Sequence, residues 1–326
     1  MSTIARNTNV GLDLSGKTAA IAGGTQGIGA ATGLRFAQAG ANVYIIGRNA
    51  ELGQQVVEKM KNAGEAAEGR HFEFIQADLS SVKEVKRVAE ELKVKAGAAG
   101  IDFLVQTQGG PPNGSYDLTS TTPAHESHFA VQTLSRFALA YFLASSSTLN
   151  RNAAWVNVLA PGGKDGPAPK IDDLELAAEE ERKKGFFARV GAQMQQDGAL
   201  ADAMVSHFPR AFPSLSLRAY HLFPGYVHTS ALRTSALLPS PLLLLQSLLG
   251  PLIARLLPAA NTPESFADVP VYLAANVEAQ ERKAEGEVRF VGPTLKSVGK
   301  PAWAEEEDGV AKSVWEKLRK IVETEA

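Results

Sequence analysis

The chain has 326 residues, of which 44% are hydrophobic and 21% charged, a composition typical of a globular protein with a sizeable core. The formal net charge of −2 gives no electrostatic reason to expect a nucleic acid or an anionic membrane as the main partner. Cysteine is absent, which excludes disulfides, zinc–thiolate sites and cysteine nucleophiles, and we predict no metal site.

Short apolar runs alternate with longer segments of helical period along most of the chain. The apolar runs predict seven strands, at TAAIAGG, NVYIIGR, HFEFIQADL, IDFLVQTQGG, AAWVNVLAPGG, LSLRAYHLFPG and EVRFVGPTL. Buried parallel strands are apolar along their whole length, and amphipathic helices connect them. The alternation therefore predicts an α/β fold with a single doubly wound parallel sheet of the Rossmann type.

No internal repeat and no long linker divides the chain, so we predict one domain over residues 1–326 with its core at about 15–295. Two additions to this core are expected, a lid at about 232–262 and a tail at 301–326. The tail contains GVAKSVWEKLRKIVE, in which apolar residues recur at helical spacing. We expect this helix to pack on the edge of the domain.

A glycine-rich segment, AGGTQGIG, follows the first predicted strand and opens the first long helix. Glycines here permit a sharp turn and the close approach of a pyrophosphate to backbone amides, and a helix N-terminus favours its negative charge. Because the order strand, turn, helix is present, we predict a dinucleotide site. Its residues in this segment are Gly23, Thr25, Gln26, Gly27, Ile28 and Gly29.

The spacing Gly-x-x-x-Gly-x-Gly resembles that of the short-chain dehydrogenase/reductase family. The resemblance covers about residues 15–295 and includes the later segments QADLS, LVQTQGG and FPGYVHT. It implies an NAD(P)-binding oxidoreductase. It further implies cofactor contacts at Asp78, Leu79, Gln106, Gly109, Pro224, Gly225, Val227 and Thr229. The segment LVQTQGG keeps only the glycine of the family's Asn-Asn-Ala-Gly motif.

The segment IIGRN, after the second strand, bears on the choice of nucleotide. NAD-selective sites place a carboxylate here to hold the ribose 2′-hydroxyl. This sequence has Gly47 followed by Arg48 and Asn49, and a guanidinium suits a 2′-phosphate. We therefore predict NADP as the cofactor, with Arg48 and Asn49 in the site. A solvated surface arginine is the alternative.

The chemistry implied by the resemblance needs a serine after the fifth strand, and a tyrosine and a lysine four residues apart on the next helix. The tyrosine passes a proton to the substrate oxygen as hydride moves, and the lysine lowers the pKa of the tyrosine. This sequence has no tyrosine between Tyr141 and Tyr220 and no lysine between Lys184 and Lys283. We therefore predict a divergent member that lacks this catalytic set.

Other residues stand at the catalytic positions of the family. Ala160 aligns with the serine, and Gln132 aligns with an asparagine that the family uses on an earlier helix. Two alignments are open for the tyrosine–lysine pair. They place it at Phe187 and Gly191, or at Met194 and Gly198.

Lys164 and Asp165 follow the fifth strand and are the predicted replacement proton donors, as the catalytic residues of the site. The alternative is a solvated turn, because GGKDG is rich in turn-forming residues. His207 and His221 have suitable pKa values. We interpret both as structural, because His207 ends its predicted helix and His221 lies in a predicted strand.

Residues 235–257 are almost entirely apolar, but three prolines and a glycine interrupt the run before it is long enough to span a membrane. The segment lies where the family carries a lid over the substrate. We predict a lid for an apolar substrate, with peripheral membrane contact or a helix packed on the core as alternatives.

Together these features predict an NADPH-dependent reductase of an apolar small-molecule carbonyl, enal or imine. Its proton would come from solvent or from a substitute residue. The alternative is a catalytically degenerate or non-redox relative that binds NADP as a structural or sensing ligand. A third hypothesis is a cyclase or isomerase. We expect no nucleic-acid partner, and a cytoplasmic location because neither end resembles a targeting signal.

Overall fold

A computed structural model describes residues 2–63, 69–110, 112–160, 162–227, 260–276, 289–304 and 309–326. Thr229 and the apolar segment 235–257 lie outside these residues, as does nearly all of the predicted lid at about 232–262. Among the helices described, none is both long enough and apolar enough to cross a membrane.

A seven-stranded parallel sheet forms the centre of the described chain, and it confirms the predicted fold class. The strands in chain order are β1 (Thr18–Ala22), β2 (Asn42–Gly47), β3 (Phe72–Gln76), β4 (Ile101–Gln106), β5 (Leu149–Val158), β6 (Arg218–Leu222), β7 (Tyr226–Val227), β8 (Ala260–Asn261) and β9 (Arg289–Val291). The sheet has the order β3-β2-β1-β4-β5-β6-β9, while β7 and β8 pair separately. All seven predicted strands are present.

The sheet changes its winding direction at β1, which pairs with β2 on one side and with β4 on the other. Every residue of β1 is buried, as expected for a central strand covered on both faces. In an open parallel sheet, the crevice beyond the carboxyl ends of the strands at such a switch point is the usual ligand site.

Helices cover both faces of the sheet. In chain order they are α1 (Thr3–Thr8), α2 (Gly27–Gln38), α3 (Ala50–Ala63), α4 (Val82–Ala96), α5 (Ser127–Phe129), α6 (Ser135–Ser145), α7 (Glu179–Arg182), α8 (Phe186–Ala211), α9 (Pro263–Phe266), α10 (Asp268–Ala275) and α11 (Val310–Glu325). One apolar core joins the sheet to α4, α6, α8 and α11, and a second joins it to α2, α3 and α10.

The predicted helix in HFAVQTLSRFALAYFLA contains an irregular turn. Helix α5 continues through a π-helical turn at Ala130–Leu134 into α6. Such turns insert one residue into a helix and are frequent at functional sites. Here the turn contains Gln132, and Arg136 follows in the first turn of α6. Both side chains are buried against the sheet, at 4% and 1% exposed.

Helix α8 is longer than the sequence predicts. It has 26 residues and contains Pro209, so the prediction that His207 ends its helix is wrong. A proline usually disfavours helix before it, but the fully buried Phe208 packs on Trp155 with ring centroids 4.8 Å apart. The last turn of α8 is thus anchored in the core through Phe208.

The tail helix α11 packs against α8 and α6, with its apolar side facing the first core. Val314, Leu318 and Val322 are fully buried on that side. The Trp315 indole packs among aromatic rings from α6 and α8, and its ring centroid lies 4.9 Å from that of Phe137. The tail therefore contributes directly to the main core.

Candidate functional site

The glycine-rich turn has the shape that a pyrophosphate site requires. Gly23 has a φ of 79° and Gly27 a φ of 55°, which side-chain-bearing residues rarely adopt. A Cβ on Gly23 would lie 2.6 Å from the backbone nitrogen of Gln108, and a Cβ on Gly29 would collide with the Gly23 carbonyl oxygen. Glycine is therefore required at these positions, and a glycine turn at the N-terminus of α2 fits the phosphates of a dinucleotide.

Three side chains accompany the glycines of this turn. Thr25 and Ile28 are half-buried, while Gln26, at the N-cap of α2, is exposed. Helix α2 has 12 residues, so its N-terminus carries a substantial partial positive charge. The turn and the helix together can hold an anionic group.

The carboxyl end of β2 brings Gly47, Arg48 and Asn49 beside the turn. A Cβ on Gly47 would lie 2.6 Å from Cγ2 of Thr25, so an aspartate at position 47 would require the Thr25 side chain to shift. The Arg48 side chain is exposed. Asn49 Oδ1 accepts a hydrogen bond from the backbone N–H of Leu52 at 2.9 Å and so caps α3. Of the two polar side chains, Arg48 is the one free to meet a ligand.

Asp78 and Leu79 follow β3. Asp78 is exposed, and its Oδ1 accepts a hydrogen bond from the backbone N–H of Ser80 at 3.1 Å. Leu79 is buried in the core, so a ligand would meet its backbone rather than its side chain. After β6, Pro224 and Gly225 are half-buried and Val227 is buried. The predicted contact residue Thr229 lies outside the described residues.

Gln106 ends β4, and Gly109 lies in the loop that follows it. Both residues make contacts within the protein. Gln106 is fully buried, donates from Nε2 to the carbonyl of Arg136 at 3.1 Å, and accepts from Trp155 Nε1 at 2.8 Å. Its side chain is therefore committed to the core. Gly109 has a φ of 113° and lies directly against the side chain of Gln132, which donates from Nε2 to the Gly110 carbonyl at 2.8 Å.

Each alignment of the tyrosine–lysine pair places an exposed side chain and a glycine on α8. Phe187 is 80% exposed and Met194 is 51% exposed. The side chains on the inward face are instead Gln193 and Asp197, which are spaced four residues apart and are both buried. Gln193 binds the loop after β4, through the Gly114 N–H and the Ser115 carbonyl, at 3.0 Å each.

Asp197 pairs with His128 of α5, with 2.5 Å between Oδ2 and Nε2. Sequence reasoning passed over His128 because it lies before the expected catalytic helix. The signal was its position four residues before Gln132, which puts both on one side of the helical run. The structure thus brings a histidine–carboxylate pair to the junction of α5 and α8.

Arg136 joins this junction to the strands. Its guanidinium donates to the Gln106 carbonyl at 3.0 Å, to the Gln108 carbonyl at 2.5 Å, and to the side chain of Asn157 on β5. Gln132 Oε1 accepts another of its hydrogen bonds at 3.2 Å. Burial lowers the pKa of Arg136 to about 9, so the guanidinium remains charged at neutral pH.

Lys164 and Asp165 are exposed in a turn after β5. The loop around them is fixed at both ends. The Gly162 N–H donates to Asp202 Oδ2 at 2.9 Å, and Trp303 Nε1 donates to the Gly166 carbonyl at 2.9 Å. This exposure agrees with the solvated-turn interpretation of Lys164 and Asp165.

His221 lies in β6, as the sequence predicts, and is fully buried. Its Nδ1 is 2.6 Å from Oδ1 of Asp202, which is also fully buried. Because the other Asp202 oxygen holds Gly162, this pair ties β6 and α8 to the loop after β5. The contacts fit the structural role expected for His221.

A comparison with known families agrees with this architecture. The family model described as short chain dehydrogenase matches residues 17–167, which contain β1 to β5 and the glycine-rich turn. Residues 17–167 are therefore similar to the short-chain dehydrogenases. Members of the family bind NAD(P). The second half of the chain lies outside the match.

Curated relatives match over the same region. The chain is 38% identical over 104 residues to hydroxynaphthalene reductase arp2 of Aspergillus fumigatus, covering 32% of this chain and 36% of the relative. It is 33% identical over 129 residues to the WW domain-containing oxidoreductase of Drosophila melanogaster, covering 40% of this chain and 30% of that protein. The chain thus spans about a third of the length of these relatives.

Solved structures share the whole fold at low sequence identity. A dehydrogenase/reductase from Sinorhizobium meliloti has a TM-score of 0.59 at 19% identity, covering 90% of this chain and 100% of that one. A hydroxysteroid dehydrogenase from Escherichia coli has a TM-score of 0.59 at 20% identity, with 85% and 96% covered. These likenesses establish the fold.

Proposed function

We propose that this protein is an NADPH-dependent reductase of an apolar small-molecule carbonyl, enal or imine. The observation that carries the proposal is the bare glycine turn at the N-terminus of α2 beside Arg48. The family match over residues 17–167 supports an oxidoreductase of this type. The apolar segment 235–257 supports an apolar substrate by its composition. We further propose a cytoplasmic location, with peripheral membrane contact through that segment as the alternative.

A reduced nicotinamide, when bound, supplies hydride to the substrate. The residues of this chain would bind and orient the dinucleotide. The turn from Gly23 to Gly29 would hold the pyrophosphate, and Arg48 would pair with the 2′-phosphate. Asp78 and the backbone of Leu79 would face the adenine. Val227 and the preceding Pro224 and Gly225 would border the nicotinamide, together with Gly109.

Reduction of a carbonyl also requires a proton for the substrate oxygen. The sequence has no tyrosine between Tyr141 and Tyr220, so the usual family donor is absent from α8. Lys164 and Asp165 are the donors proposed from the sequence. An imine substrate would need the least help, because a protonated iminium accepts hydride without a further acid.

The second candidate function is a non-redox relative that binds NADP as a structural or sensing ligand. Hydrogen bonds within the protein favour this function. They engage the polar side chains of Gln106, Gln132 and Arg136 at the end of β4, so these groups are not free to act on a substrate. In that case the nucleotide binds and no hydride moves.

Deuteride transfer separates the two functions. The protein would be incubated with NADPH deuterated at C4 of the nicotinamide and with a panel of apolar ketones, enals and cyclic imines. Mass spectrometry of the products is expected to show deuterium on the carbon that was reduced. If the nucleotide binds and no member of the panel acquires deuterium, the non-redox function is favoured.

The cofactor preference depends on Arg48. We expect NADPH to bind at least about tenfold more tightly than NADH, because a charge-assisted hydrogen bond contributes about 1.5–3 kcal/mol. Arg48→Asp should erase or reverse that preference in calorimetric titrations with both nucleotides. Arg151→Asp, at an exposed arginine of β5, has the same change of charge and should leave the preference intact. Equal affinities of the unchanged protein for NADPH and NADH would contradict the NADP assignment.

A further inference from the structure

The pair formed by His128 and Asp197 has no role in the function as proposed so far. The His128 side chain is 10% exposed and the Asp197 side chain 8% exposed, with 2.5 Å between Nε2 and Oδ2. A carboxylate at one ring nitrogen fixes the orientation of a histidine and keeps the proton on that nitrogen. Within the described chain, Nδ1 of His128 makes no hydrogen bond. That nitrogen is therefore available to exchange a proton.

Arg136 locates the pair at the carboxyl ends of β4 and β5. Arg136 lies eight residues after His128, about two turns further along the same helical run. The same guanidinium donates to the carbonyls of Gln106 and Gln108 and to the side chain of Asn157. Ligands of doubly wound sheets bind at this edge.

The π-helical turn supports the same location. Gln132, within that turn, reaches the backbone of Gly109 and Gly110. His128 lies one turn earlier in the same helical run, on the side that faces α8. His128 therefore lies one helical turn before the residue that contacts the loop after β4.

We propose that His128 is the proton donor of this site and that Asp197 is the residue that positions it. The inference rests on the proposed function, which supplies the hydride. For a carbonyl substrate, hydride adds to the carbonyl carbon as the C=O π bond breaks, and the Nδ1–H of the His128 imidazolium gives its proton to the oxygen. The products are the alcohol, oxidised nucleotide and neutral His128, which regains a proton from water.

Surrounding charges favour the protonated form of His128. Burial by itself lowers the pKa of the ring, but the charge and hydrogen bond of Asp197, together with the charge of Glu126, outweigh burial. Arg136 opposes them, and the pKa of His128 still lies above its ordinary value. A general acid needs a pKa near the working pH. Lys164 and Asp165, by contrast, lie exposed in a turn.

The first test is an NMR titration of His128 that needs no turnover. Protein labelled with ¹³C and ¹⁵N would be titrated from about pH 6 to 9 in complex with NADPH and, separately, with NADP⁺. His128→Gln assigns the ring signal among the six histidines. The nicotinamide ring is neutral in NADPH and positive in NADP⁺. The positive charge of the oxidised nicotinamide should therefore lower the pKa of His128 in the NADP⁺ complex. For a charge roughly 6–8 Å from the imidazole, the expected difference is about half a pKa unit.

His71 is the internal control. It is exposed and precedes β3, at the amino ends of the strands, so its pKa should be the same in both complexes. Failure of both nucleotides to bind in calorimetry would overturn the proposed function as well as this inference. Tight binding with an identical pKa of His128 in the two complexes would overturn the inference alone.

The second test uses trans-cinnamaldehyde and NADPH in single-turnover measurements. The rate should fall with rising pH through the pKa found by NMR, and His128→Gln should reduce it by about a hundredfold and flatten the profile. Asp197→Asn should shift the profile to lower pH and leave the apparent Kd for cinnamaldehyde unchanged. A purely structural tie between α5 and α8 would not move the profile. An unchanged rate in His128→Gln, with a loss in Lys164→Ala or Asp165→Asn, would assign the donor to the turn after β5.

Discussion

Replacement of Arg136 by methionine is expected to lower the free energy of unfolding by about 3 kcal/mol. The substitution removes the donors for the carbonyls of Gln106 and Gln108 and for the side chain of Asn157. Each buried acceptor left without a partner costs about 1–3 kcal/mol. The loss is partly offset because burial disfavours the charge, as the lowered pKa of Arg136 shows. Urea denaturation followed by circular dichroism measures the difference.

Two further variants identify the cause of the loss. Arg136→Lys keeps the charge but not the planar fork of donors, so it should recover only part of the stability. Arg319→Met removes an arginine that is 47% exposed and paired with Glu323, and it should change stability by less than about 1 kcal/mol. Full stability of Arg136→Met would show that the acceptors find other partners, and the account of this cluster would be wrong.

The fold could be predicted from the sequence because its pattern is repeated. Seven apolar runs separated by amphipathic segments leave a parallel sheet as the arrangement that buries them all. The glycine-rich turn could also be predicted, because of its glycine spacing between a strand and a helix. In the structure, a Cβ does not fit at Gly23 or Gly29. The strands and the glycine-rich turn depend on residues that are close in sequence, which is why the sequence predicts them.

The interior of the site could not be predicted because it depends on side-chain direction. Gln106 is a plausible cofactor contact by position in the sequence, yet Trp155 and Arg136 hold its side chain in the core. The positions counted along α8 include Phe187 and Met194, which are exposed to solvent. A π-helical turn and a helix extended through Pro209 both change which side chains meet, and neither has a signal in the hydrophobic pattern.

Replacement of Trp315 by alanine is expected to cost about 4 kcal/mol. Trp315 is 6% exposed, and its ring centroid lies 5.1 Å from that of Phe208 and 4.9 Å from that of Phe137. Truncation of a buried aromatic side chain of this size usually costs about 3–5 kcal/mol, because the cavity closes only in part. Trp315→Phe keeps one ring in the cluster and should lose less.

The form of the urea transition shows whether α11 belongs to the main cooperative unit. Val314, Leu318 and Val322 share one core with β1, β4, α6 and α8, so α11 should unfold together with the sheet. Trp315→Ala should then lower the transition midpoint without changing the slope m, since the same surface becomes exposed. Trp303→Ala is the control, because that indole is half-buried beside the loop after β5. An additional early transition in Trp315→Ala would mean that α11 detaches alone. The cost of the substitution would then measure the docking of the tail and not the stability of the domain.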